Sequence, residues 1–137
     1  MQRVTPHGVA TAVFCAIFTF GGIGHLSHAA PMAQGMGHLG YPDYVMTLLG
    51  VAKLLGVAAL LLPGHPLLKE WAYAGFAFDL IGATASHAFV GDPLGETVRP
   101  VVVLAIGAAS YLLRPAHLRL VAAGEAPAVA PALEPAR

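Results

Sequence analysis

Residues 46–63 read MTLLGVAKLLGVAALLLP, and one lysine, Lys53, interrupts a run otherwise suited to hydrocarbon. A helix needs about 20 residues to cross an apolar layer of about 30 Å. An unpaired ammonium near the centre of such a helix costs at least about 2.5–3.5 kcal/mol. The chain should therefore supply an anion at the same depth. The connector PGHP (63–66) is short, so the segments flanking it are expected to form an antiparallel hairpin. Counted from position 65, Lys53 and Asp79 then lie about 18 and about 21 Å deep, at 1.5 Å per residue. Asp79 shares a helix face with Gly75, Gly82 and Ser86, a stripe along which a neighbouring backbone is expected to approach closely. Gly50 and Gly56 flank Lys53 in the same way. Lys53 and Asp79 are expected to face each other inside a bundle. Two readings of the pair stand side by side. It fixes helix register only, or it lines a pocket that binds a polar group or moves a proton.

Three further segments share this apolar character. The expected helices cover about 8–30, 44–63, 67–90 and 96–113, and the fold class is an all-α bundle of four transmembrane helices over residues 1–114. The fourth is the shortest, with only 101–113 free of charge and proline. Arg99 is expected at its boundary and Pro100 in its first turns. The first has a competing reading. Arg3, an apolar stretch and the small-x-small run Ser27-His28-Ala29 resemble a signal peptide, although the stretch is long for one and ends in the polar GHLSH. Residues 115–137 are rich in Ala, Pro and Glu and are expected to be a disordered cytoplasmic tail. No internal repeat stands out.

Composition agrees. The chain has 137 residues, 57% hydrophobic and only 10% charged, with mean hydropathy +0.71. Soluble domains carry about a quarter charged residues, so a lipid bilayer is the expected surrounding. The net charge is zero, which offers nucleic acid no basic surface. The single cysteine, Cys15, can form neither an internal disulfide nor a CxxC pair and is read as a small lipid-facing or packing residue. Gly21, Gly22 and Gly24 lie inside an apolar helix without a preceding strand, so they are packing positions and not a nucleotide loop.

The basic residues set the orientation. Arg3, Lys69, Arg114 and Arg119 fall on one side, and Asp43, Asp92 and Glu96 on the other. Both termini are therefore expected in the cytoplasm. Tyr41 and Tyr44 suit the outer interface, and Trp71, Tyr73 and Tyr111 the inner one. Glu70, beside Lys69, reads as an acid favoured by the N-terminus of its helix.

More polar side chains gather toward the outer side. His25 and His28, in GHLSH, are three apart and are expected on one helix face. His87 lies about 12 Å beyond Asp79 along its helix. Arg99 enters the fourth helix near that level, and His38 lies in a connecting loop. Scattered histidines without an HxxxH or HExxH signature are weak as ligands, and no metal site is assigned. They are interfacial polar groups, or they bind and exchange protons near neutral pH. The candidate ligand-binding set is Lys53, Asp79, His87, His25, His28 and Arg99. Asp79 and His87 are the candidates for any acid–base role.

The strings LGVAKLLGVAALLLP and LKEWAYAGFAFDLIGATASHAFVGD, with GHLSH and MGHLGYP before them, resemble the DoxX-like family of small bacterial integral membrane proteins. The resemblance runs from about Gly24 to Arg114, and Lys53, Glu70, Asp79, Ser86 and His87 carry the pattern. It implies a compact four-helix bundle spanning the bacterial cytoplasmic membrane. It also implies an accessory place in a membrane redox system, with a quinone as the cofactor and a redox partner protein supplying the electron chemistry.

Three functions remain open at this level. The first is such an accessory, binding a quinone or similar lipophile between Lys53 and Asp79 under a histidine-containing mouth. The second is a stand-alone acid–base enzyme on an apolar substrate, against which the Asp79–His87 separation counts. The third is a structural or transport bundle, with the small-residue stripes serving a homodimer.

Overall fold

The computed structural model describes residues 5–120. Among these it contains five α-helices, one 3-10 turn and no strand. The helices are α1 (Pro6–Leu26), α2 (Ala30–His38), α3 (Asp43–Leu61), α4 (Pro66–Phe89) and α5 (Leu94–Leu112), and the turn is Ala116–Leu118. Arg3 and residues 121–137, most of the expected tail, lie outside the described residues.

The four long helices form a ring in which α1 touches α3 and α5, and α4 touches α3 and α5. The short α2 rests on α3 and α1 at one end of the bundle. Two of the helices, α1 and α3, are long and apolar enough to cross a membrane by length and composition. The outer surface matches a nonaqueous surrounding. Phe20 (74%), Trp71 (74%) and Phe78 (77%) are largely exposed, a pattern that water would penalise.

Local signals account for the helix ends. Thr5 caps α1 by accepting from the Gly8 N–H at 3.1 Å, and Pro6 occupies the first turn, where an N–H has no partner to lose. The expected first helix, 8–30, stops short. His28 takes φ +50° and the Ala29 N–H reaches back to the Gly24 carbonyl at 3.0 Å, closing α1 with a left-handed cap. A new helix, α2, then starts with Pro31 in its first turn. The segment read as the loop carrying His38 is this helix, and His38 is its last residue. Proline near the start and Gly40 (φ +80°) just past the end were legible signals for it. Helix α5 begins at Leu94, so Pro100 falls in its second turn.

The half of the bundle away from α2 is filled by aromatic rings. Phe14, Phe18, Tyr73 and Phe76 form one buried cluster, with Phe18 and Phe76 only 4.0 Å apart between centroids. Gly22 and Gly50 let α1 and α3 cross with their backbones in contact. A Cβ on Gly50 would meet the Leu26 nitrogen at 2.9 Å and the Gly22 carbonyl at 3.0 Å. The α4 stripe behaves otherwise. A Cβ at Gly75 or Gly82 would meet nothing within 4 Å, so no helix backbone approaches there.

Two charges at the end opposite α2 depart from the sequence reading. Lys69 is buried, not placed in the turn at a boundary. Its ammonium donates to the Ala59 and Leu60 carbonyls, closing the C-terminus of α3. Glu70 pairs with Arg114 at 2.7 Å, and the guanidinium stacks on Tyr111 at 4.0 Å.

Candidate binding site

Lys53 on α3 and Asp79 on α4 meet at 2.8 Å, with side chains 12% and 18% exposed. The ammonium also lies 5.9 Å from the centroid of the Phe18 ring. This pair closes the floor of a cavity of about 640 Å³ between the aromatic cluster and α2. The volume is in the range of small-molecule sites. The walls are mainly apolar, and Met32 and Met36 of α2 cover the space. On the far side, between α3 and α4, the same pair borders a second cavity of about 330 Å³, whose wall includes Trp71, Ala72 and Gly75. Gly82 lines the larger space and Gly75 the smaller. The α4 stripe thus makes room for cavities, where the sequence suggested a close helix neighbour.

Five of the six expected binding residues line the larger cavity: Lys53, Asp79, His25, His87 and Arg99. His25, in the last turn of α1, donates its Nδ1 hydrogen to the Gly21 carbonyl at 2.7 Å. Arg99 sits at the rim, 74% exposed and paired with Glu96 at 2.5 Å. His28 does not line this cavity. It has left the helix, so the i, i+3 relation to His25 is broken, and its Nε2 instead meets the Thr47 hydroxyl at 3.1 Å.

Asp92, which sequence reasoning passed over as a loop acid, supports one of the cavity's histidines. The run HAFVGD folds it into place. Gly91, at φ +77°, closes α4, and the Asp92 N–H returns to the His87 carbonyl at 3.0 Å. The carboxylate then accepts from His87 Nδ1 at 2.6 Å through one oxygen and from His38 Nε2 at 2.6 Å through the other. Tyr41 adds a second tie. Ser86 donates to the Gly82 carbonyl at 2.8 Å, which leaves its oxygen to accept from the Tyr41 hydroxyl at 2.7 Å. Together the ties fasten the end of α2 to α4. The visible signal was Gly91, a left-handed position that bends the next residue back over the helix end.

Hydrogen bonds from His87, then from His38, hold the Asp92 carboxyl below the ordinary carboxylate range. Its folded value lies below the unfolded one. The tie therefore contributes fully above the unfolded value and is lost as pH falls through the folded value. Acidification from about pH 5 to about pH 2 is expected to lower amide protection at the end of α2, while the α1–α3 crossing stays protected. Asp92→Asn should show the lower protection already at neutral pH. Identical protection in parent and variant throughout that window would count against the tie.

Among the described residues, no group of three or more His, Cys, Asp or Glu side chains is placed to hold a metal ion. One donor and one acceptor at the floor, two imidazoles on the walls and an apolar lining can hold a lipophilic molecule by a polar head.

No curated protein and no solved structure matches the sequence. Residues 9–110 match the DoxX-like family. That span contains α2, α3, α4, both cavities and the whole Lys53–Asp79–His87–Asp92 arrangement, and the chain belongs to the DoxX-like family.

Proposed function

We propose that this chain is a multi-pass protein of the bacterial cytoplasmic membrane, with α1, α3, α4 and α5 spanning the bilayer and both termini in the cytoplasm. In this reading α2 lies at the extracytoplasmic face, and the protein holds a quinone or related lipophile as an accessory subunit of a membrane redox system. A separate partner protein carries the electron chemistry. The observation behind the reading is the apolar cavity of about 640 Å³ with an ion pair at its floor. Lys53 donates to an oxygen of the bound head, and Asp79 orients the ammonium through the 2.8 Å contact.

Extraction in mild detergent, followed by mass spectrometry of the retained small molecules, tests this. The parent should retain a defined lipophile, and Asp79→Asn, checked for folding, should retain about tenfold less. Bulk lipid alone in both preparations would defeat the proposal and favour a structural bundle or a homodimer.

A second reading, a stand-alone acid–base enzyme on an apolar substrate, draws on Asp79 and His87 opening onto one cavity. Turnover by the purified chain without a partner would favour it.

A further inference from the structure

Both imidazoles that line the cavity have one nitrogen already committed. His25 Nδ1 lies 2.7 Å from the Gly21 carbonyl, which can only accept, so Nδ1 carries the hydrogen. His87 Nδ1 lies 2.6 Å from a carboxylate oxygen of Asp92, which imposes the same tautomer. A neutral imidazole has one N–H. In the neutral form of either ring Nε2 is therefore a lone-pair acceptor. Neither Nε2 has a hydrogen-bond partner among the described residues, and neither is a sealed-off buried atom. Asp79 adds another acceptor, because only its Oδ1 is used by Lys53.

The donors are fewer and do not discriminate. Lys53 can donate to a carbonyl or a hydroxyl oxygen equally. Arg99 is at the rim and paired with Glu96. Discrimination therefore rests with the acceptors on the walls.

We propose that the cavity selects its ligand by hydroxyl hydrogens, holding the reduced, dihydroxy-aromatic form of a quinone in preference to the dicarbonyl form. This rests on the lipophile-binding reading above and specifies which form that site takes. A dihydroxy ring can accept from Lys53 at one hydroxyl and donate from the other to an imidazole Nε2. A carbonyl offers lone pairs only, so it leaves the imidazole nitrogens desolvated and unpaired. Sites built to bind a hydroxyl reject analogues lacking it for this reason. Asp92 is then a positioning residue, which acts by holding the His87 tautomer.

The test uses the full chain in lipid nanodiscs. A benzoquinol with one isoprenoid unit, kept reduced and anaerobic, is compared in equilibrium binding with the same compound oxidised. The quinol should bind about tenfold tighter, the effect of roughly one added hydrogen bond. His87→Phe should remove most of the quinol's advantage, bringing the two affinities about tenfold closer together. Asp92→Leu should do the same while leaving His87 in place. Nitrogen NMR of ¹⁵N-histidine-labelled protein gives a readout that needs no variant. Neutral His25 and His87 should both show the Nδ1–H tautomer, and Asp92→Leu should convert His87 alone. Equal affinities for the two forms, or an Nε2–H tautomer at either residue, would overturn the selection and leave lipophile binding standing. Failure of both forms to bind would overturn the two together.

Discussion

Asp79→Leu should destabilise the folded bundle by about 3–5 kcal/mol, because it leaves the Lys53 ammonium largely buried without its anion. The two side chains are 12% and 18% exposed and 2.8 Å apart. Lys53→Met should cost a similar amount for the mirror reason. The double variant, Lys53→Met with Asp79→Leu, should recover most of the loss. Apolar side chains of similar volume often replace a buried ion pair at little cost. Unfolding titrations in one detergent, on the parent, both single variants and the double, give the coupling directly. Single variants that cost under about 1 kcal/mol would show the pair to be solvated like a surface bridge. The comparison also separates stability from function. If the double variant is stable and has lost its lipophile, the pair belongs to the binding site and is dispensable for the fold.

Gly50→Val should cost about 3 kcal/mol, at the upper end of ordinary overpacking. A Cβ at that position would meet the Leu26 nitrogen at 2.9 Å and the Gly22 carbonyl at 3.0 Å. Those are backbone atoms inside or at the end of α1, so they cannot swing aside as a side-chain tip can. Relief would require α1 and α3 to separate, which would loosen the aromatic cluster that Phe14 and Phe18 build from α1. Gly75→Ala provides the contrast. Nothing lies within 4 Å of its Cβ position, so the gain in helix propensity, about 0.5–1 kcal/mol, should dominate. The same unfolding titrations check both. A Gly50 variant as stable as the parent would mean that the crossing is not as close as described.

The α4 glycines show how far sequence patterning reaches. Gly50 and Gly75 are both helical glycines near the charged pair, and spacing treats them alike. One sits at a backbone crossing and the other borders empty space. A periodic stripe identifies the face of a helix. It does not say whether a helix, a cavity or lipid lies against that face, since this depends on how the neighbouring helices are tilted.

Local chemistry determined a good deal without any tertiary structure. Apolar runs interrupted by PGHP and VGDP, with proline and glycine at the turns, set the long helices and the α3–α4 hairpin. Rise per residue then put Lys53 and Asp79 at one depth, because the hairpin leaves little freedom in register. The short α2 was encoded too, in Pro31 and Gly40, but its nine residues are too few for a strong periodic signal. Tertiary structure alone decided which partners the remaining polar groups found. Lys69 turned inward to the end of α3, Glu70 met Arg114, and Asp92 came to stand between His87 and His38. Those contacts join segments far apart in the chain, or depend on one left-handed residue at a helix end. Helical spacing specifies depth along a bundle, whereas the partner across it is chosen by side-chain packing once all the helices are in place.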